Sequence, residues 1–267
     1  MSKIDERFAQ LKPTGRRAFM PFITAGDPSL EFTEKMLLAL DSVGCDLFEL
    51  GIPYSDPIAD GPVIQESYTR SLNAGTKLKS IFEVLGRVTP QLKAPVVTMI
   101  SYAIIHRLGP DRFLSEAWSA GVAGAIVPDL PADESEEFAQ KCRQLDFSLI
   151  QLVTPTTPPQ RAAEIVKRSS GFVYYVSVAG ITGERQDLPA ELASNIRLLK
   201  QNSNLPICVG FGISQPAHIE RLKQVADGFI VGSAIVKKIG RASSGSSEAE
   251  VIADVKTFAQ QMLQACK

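Results

Sequence analysis

The feature that most constrains the fold is a set of eight short apolar runs rich in β-branched and aromatic residues, at 18–24, 46–50, 95–100, 124–127, 147–153, 172–176, 206–209 and 228–231. Few of them alternate cleanly with polar residues. That is the pattern of parallel strands covered on both faces. Segments with helical spacing lie between them, at 30–43, 77–92, 109–120, 133–145, 158–169, 188–200, 215–225 and 248–266. Ser29, Ser214 to Pro216, and Pro158 with Pro159 supply helix-start signals. Strands alternating with helices predict a single (β/α)8 barrel domain spanning 1–267. Extra short helices are expected at the N-terminus and after strands two and eight. A doubly wound open sheet is the rival, but it normally uses fewer strands. The run 242–247 (ASSGSS) reads as a mobile loop.

The 267 residues carry 28 basic and 29 acidic side chains. A chain so balanced lacks the basic excess of a dedicated nucleic-acid binder. No apolar run approaches the roughly 20 residues that span a bilayer, and the polar start MSKIDERFAQLK has no signal-peptide core. A cytoplasmic location is expected. Cys45, Cys142, Cys208 and Cys266 are scattered singly, as buried thiols in a reducing compartment would be. With only His106 and His218, a histidine-based triad or metal site is not expected. Trp118 reads as a helix-face packing residue, and Arg16 and Arg17 as solvated.

Barrel active sites lie on the loops that follow the strands. The loop after strand two is unusual: Phe48-Glu49-Leu50-Gly51-Ile52-Pro53-Tyr54-Ser55-Asp56-Pro57-Ile58-Ala59-Asp60-Gly61-Pro62. Alternation places Glu49 opposite Phe48 and Leu50, facing the barrel interior near its mouth. A carboxylate there must be partnered or put to use, and burial raises its pKa into the range of a general acid or base. Three prolines stiffen the loop and hold Asp56 or Asp60 in place; chemistry alone does not choose between the two. A structural alternative pairs Glu49 with a buried Arg or Lys and makes the aspartates turn formers.

Glycine-rich turns follow the last three strands: Ala179-Gly180-Ile181-Thr182-Gly183, Gly210-Phe211-Gly212-Ile213-Ser214 and Val231-Gly232-Ser233-Ala234. Loops after strands seven and eight, with a short helix such as 234–239, form the usual phosphate site of such barrels. Together these features predict acid–base chemistry on a phosphorylated small molecule.

Essentially the whole chain resembles the tryptophan synthase α subunits, most specifically in FELGIPYSDPIADGPVIQ, and also in FMPFITAGDP, in Val127-Pro128-Asp129-Leu130-Pro131 and in the three glycine turns. The resemblance implies a lyase of tryptophan biosynthesis that cleaves indole-3-glycerol phosphate to indole and glyceraldehyde 3-phosphate. It implies an α2β2 heterotetramer in which a pyridoxal-phosphate β subunit receives indole through a tunnel, the α chain itself needing no cofactor or metal. By resemblance Glu49 serves the C3 and hydroxyl protons and Asp60 holds the indole nitrogen, leaving Asp56 a turn residue. Phe22, Ile100 and Tyr174 line the indole slot, with Ile64 near the ring and Tyr102 near the glycerol chain. Phe211 belongs to the same set of substrate contacts. Gly183, Gly212, Gly232 and Ser233 bind phosphate, Thr182 orients Asp60, and Asp129 belongs to the loops that couple to the partner. Two stretches depart from the family pattern: Ala103 and Ile104 replace a common Asn-Pro, and Val178 stands where some members have Arg. The altered 103–104 stretch motivates an alternative in which the chain mainly activates its β partner. A different phosphate-binding barrel enzyme is the other alternative.

Overall fold

The computed structural model describes residues 1–57, 60–176, 191–210 and 212–267. Its strands are β1 Ala18–Thr24, β2 Phe48–Gly51, β3 Val96–Met99, β4 Gly124–Ile126, β5 Ser148–Ile150, β6 Leu152–Val153, β7 Val173–Val176, β8 Ile207–Gly210 and β9 Gly228–Val231. All pairings are parallel, in the order β5-β4-β3-β2-β1-β9-β8-β7-β6. The expected fifth strand, 147–153, is therefore two short strands broken at Gln151. Its first half pairs with β4 and its second with β7, so one stretch of chain carries both ends of the sheet. The result is the nearly closed β/α barrel that the sequence pattern predicts.

Alternate residues divide the core in two. Inside the barrel, Met20, Phe22, Val97, Met99, Ile126, Ile150, Tyr174 and Ile230 form one cluster. Their neighbours Phe19, Ile23, Phe48, Leu50, Val96, Val173 and Phe229 belong to a larger cluster under the surrounding helices. Both strand faces are buried, which is why the strands read as continuous apolar runs.

The helix Lys3–Leu11 closes the N-terminal end of the barrel with Ile4 and Leu11, after a capping box between Ser2 and Asp5. Buried Asp46 fixes it there. The carboxylate accepts from Arg7 at 2.7 Å, from Arg16 at 3.0 and 2.6 Å, and from the Phe19 amide at 2.9 Å. Arg16 is therefore not a solvated residue, and neither is Arg17, whose Nε donates to the Lys223 carbonyl at 2.6 Å. Sequence spacing could not foresee either partner, because each is far away along the chain. Trp118 corrects the opposite way: it is 57% exposed, while Phe113, Leu114 and Ala117 take the buried face of Pro110–Ser119. Part of the expected loop 242–247 is ordered as a 3-10 turn, Gly240–Ser244. After β3 a short helix, Tyr102–Leu108, precedes Pro110–Ser119, with Gly109 between them.

Two helices, Pro62–Asn73 and Leu78–Val88, follow β2; the second is the helix expected at 77–92 and the first is the extra one. The first is bonded to the end of β1. Thr24 and Ser67 hydroxyls meet at 2.6 Å, the Ser71 hydroxyl donates to the Ala25 carbonyl at 2.6 Å, and Arg70 forks onto Asp27 at 2.8 and 2.7 Å. That attachment holds rigid the helix that follows Asp60.

Candidate active site

Glu49 lies mid-strand in β2, level with Phe22 of β1 and Val97 of β3. It is 1% exposed. Among the described residues it makes no ion pair, and its Oε2 has no hydrogen-bond partner. The structural alternative of a buried Arg or Lys partner finds no support there. Burial first, and the charge of Asp60 second, push the Glu49 carboxyl up to about 8.

Asp60 ends the proline-rich loop and is itself buried. Its amide donates to the Pro57 carbonyl at 3.1 Å. The Gln65 side-chain amide donates to the Pro57 carbonyl at 3.1 Å and to the Asp60 carbonyl at 2.8 Å. Gly61 precedes the helix and Pro62 opens it, so the chain leaves Asp60 in a fixed direction. Burial raises the Asp60 carboxyl to about 6. Asp56 is different: it is exposed and takes the Ser55 hydroxyl at 3.0 Å, as a turn residue would.

Both carboxylates line a cleft of about 460 Å³ at the C-terminal mouth of the barrel. Phe22, Ile64 and Tyr174 supply apolar walls, and Gly212, Gly232 and Ser233 line the same cleft. Ile100 lines an adjoining cavity of about 760 Å³ that shares Asp60, Met99 and Tyr174 with the first. Tyr102 is not brought to either. Its ring packs on Phe138 (centroids 6.3 Å apart) and His106 (6.2 Å), because it opens the helix Tyr102–Leu108 and its ring joins the layer outside the barrel. Thr182, Gly183 and Phe211 lie outside the described residues, as does Val178.

The glycines have different reasons to be glycine. Gly212 has φ +84°, a conformation other residues rarely adopt. Gly210 leaves room for Tyr174: a Cβ there would strike the phenol ring and its hydroxyl. At Gly232 a Cβ would meet only Phe22, at 3.6 Å, so space alone does not demand glycine. The helix Ser233–Ile239 starts beside it. Its earliest in-helix bonds run from Ile235 and Val236 to the Gly232 carbonyl, leaving the Ser233 and Ala234 amides as the first-turn donors.

Sequence reasoning does not single out Met99 and Ile230 in the first cleft, or Tyr54, Tyr68 and Ser101 in the second, while Ile213, Ser214 and Ala234 line the first cleft from the glycine turns it does mark. Met99 and Ile230 were legible in principle, being the inward-facing residues at the ends of strands. Gln65 and Tyr68 carried a signal too, one and two helical steps beyond Pro62. Asp129 takes a definite place: it accepts the Ser101 hydroxyl at 2.6 Å and the Tyr102 amide at 2.7 Å, bracing the loop after β4 against the start of the helix after β3. Among the described residues no group of His, Cys, Asp and Glu could hold a metal ion. All four cysteines are free and buried.

The model of the tryptophan synthase alpha chain family matches residues 8–267. The chain belongs to the tryptophan synthase alpha chain family. Its relatives include the tryptophan synthase alpha chain of Rhodopirellula baltica, 49% identical and covering 95% of this chain and 94% of the relative. That of Arabidopsis thaliana is 45% identical, with 90% and 88% covered. Among solved structures, the tryptophan synthase subunit alpha of Legionella pneumophila superposes with a TM-score of 0.90 at 33% identity, covering 100% of this chain and 98% of that one. A chain of the tryptophan synthase complex of Pyrococcus furiosus gives 0.85 at 36% identity, covering 93% and 99%. No helix among the described residues is long and apolar enough to cross a membrane.

Proposed function

We propose that this member of the alpha chain family cleaves indole-3-glycerol phosphate to indole and glyceraldehyde 3-phosphate, and does so as the α half of an α2β2 complex. The observation that carries the reading is Glu49: a buried carboxyl raised to about 8, with no ion-pair partner among the described residues, sharing with Asp60 an apolar cleft that Gly212 and Gly232 also line.

The chemistry divides between the two carboxyls. Near neutral pH Glu49 is largely protonated and Asp60 largely ionised. Glu49 gives its proton to ring carbon C3 while Asp60 accepts the ring N–H proton, forming the indolenine. Glu49, now ionised, takes the proton of the side-chain hydroxyl next to the ring. That O–H electron pair becomes the aldehyde C=O, and the C3–side-chain bond breaks. The electrons of that bond restore the C2–C3 double bond, and Asp60 returns the proton to nitrogen. Each carboxyl ends as it began. Positioned acid–base groups of this kind contribute about 10²–10⁴-fold each.

Phe22, Ile64 and Tyr174 hold the indole, with Ile100 beyond them. Gly212, Gly232 and Ser233, with the first amides of Ser233–Ile239, receive the phosphate. The chain's own side chains supply every proton transfer, and pyridoxal phosphate belongs to the β partner.

The test is indole release from indole-3-glycerol phosphate by the purified chain, with and without its β subunit. Slow release that accelerates on adding the partner is the expected result, and Glu49→Gln should abolish it while a phosphorylated indole analogue still binds. Glu49→Gln activity near wild type would overturn the acid–base role. Release that no partner accelerates would make the chain a free-standing lyase.

A further inference from the structure

Tyr68 is buried on Pro62–Asn73, one turn after Ile64 and on the same face. Its ring leans on Tyr54, with centroids 5.7 Å apart. Its hydroxyl occupies the interior space that a side chain at position 51 would need. A Cβ placed on Gly51 would lie 2.9 Å from that oxygen and 2.5 Å from the Phe22 ring. Gly51 follows Glu49 by two residues in β2, so both positions face inward, about 7 Å apart along the strand. The phenol oxygen therefore stands one interior layer above Glu49, toward the mouth.

That oxygen has no hydrogen-bond partner among the described residues, and the same is true of Glu49 Oε2. Leaving a buried polar atom unmet destabilises the fold. A ring kept only for packing would be better served by phenylalanine. The two unmet atoms lie in adjoining cavities that share Asp60, Met99 and Tyr174, and a group reaching both would accept from the phenol and donate to the carboxylate at once. A hydroxyl does both.

We infer that the Tyr68 hydroxyl is a substrate contact, donating a hydrogen bond to the side-chain oxygen whose proton Glu49 removes. This rests on the indole-3-glycerol phosphate reading above. The phenol keeps its proton throughout. Burial, Asp60, Tyr54 and Glu49 all push its pKa well above the usual tyrosine value, which suits a fixed donor and not a base. As the O–H proton moves to Glu49, negative charge grows on the oxygen before the C=O bond is complete, and the donated hydrogen bond stabilises that charge.

The experiment is Tyr68→Phe, which keeps the ring. Turnover should fall about 10²-fold, the scale for losing one donor to a developing oxyanion, with no loss of melting temperature. Binding is then measured by calorimetry in a Glu49→Gln background. Tyr68→Phe should weaken indole-3-glycerol phosphate about tenfold and leave an analogue lacking the chain hydroxyls unchanged. Wild-type turnover in Tyr68→Phe overturns the inference alone. Equal weakening of both ligands also overturns it, by making the hydroxyl a packing element. A wild-type chain that releases no indole from this substrate overturns the parent reading instead.

Discussion

Phe22 stands level with Glu49 across the β1–β2 ladder, and its ring fills the interior beside Gly51. An aromatic wall thus abuts a carboxyl that has no cation to balance it among the described residues. Desolvation by such surroundings, more than any charged neighbour, keeps Glu49 protonated at neutral pH. The same wall borders the cleft where the indole ring is proposed to lie.

The first prediction concerns the rate profile. With Asp60 at about 6 and Glu49 at about 8, kcat/KM should rise with pH through about 6 and fall through about 8. Asp60→Asn should lose about 10²–10⁴-fold in turnover and lose the acidic limb with it. Full rate in that variant would reassign the partner of the ring nitrogen.

Stability should carry the mark of the same burial. The folded chain holds the Glu49 proton up to about 8, whereas the unfolded chain releases it above 4.5. Protons bound to the folded state in excess make stability fall as pH rises through that window. Glu49→Gln lacks this loss. Its melting temperature relative to wild type should climb from pH 5 to pH 8 and then level off, each kcal/mol giving roughly 2–4 °C. Asp60 adds a smaller slope between 3.8 and about 6 that both proteins share. Parallel melting curves would mean that water reaches Glu49.

Asp129 is predicted to act on coupling and not on chemistry. Asp129→Ala removes the acceptor for the Ser101 hydroxyl and the Tyr102 amide. Losing a capping acceptor costs about 1 kcal/mol and frees the helix start next to Ala103 and Ile104. Indole release by the chain alone should change less than twofold. Acceleration by the β subunit should weaken clearly, and an undiminished response would detach this brace from the partner.

At the other end of the barrel, Asp46→Ala leaves Arg7 and Arg16 facing a buried void. Removing one member of a mostly buried pair costs about 3 kcal/mol. Urea unfolding should show a correspondingly lower midpoint. Indole release well below the transition should stay near wild type, since Asp46 lies remote from the cleft. Unchanged stability would show that these ion pairs only break even with hydration.

Much of this site was legible along the chain. Glu49 betrayed itself as a carboxylate within an apolar strand, and alternation gave it the correct face. Asp60 stood in a loop stiffened by prolines. Gly212 is needed for its backbone angle, as a turn glycine should be. Tyr102 shows the limit: the resemblance places it near the glycerol chain, but the helix it opens turns the ring onto Phe138. Arg16 and Arg17 look solvated along the chain, as any basic side chain next to a strand does, because their acceptors, Asp46 and the Lys223 carbonyl, are distant in sequence.

By itself the sequence determined the barrel and the inward, buried place of Glu49, because strand periodicity and a carboxylate inside an apolar run are local properties, whereas residue chemistry left Asp56 and Asp60 equal and only the family resemblance separated them. Only the tertiary structure decided that the fifth strand breaks at Gln151 to carry both edges of the sheet, that Gln65 bonds to the Pro57 and Asp60 carbonyls, and that Tyr68 fills the space Gly51 leaves above Glu49. Each of these depends on which surfaces meet when the chain closes on itself, and residue order alone does not carry that distance.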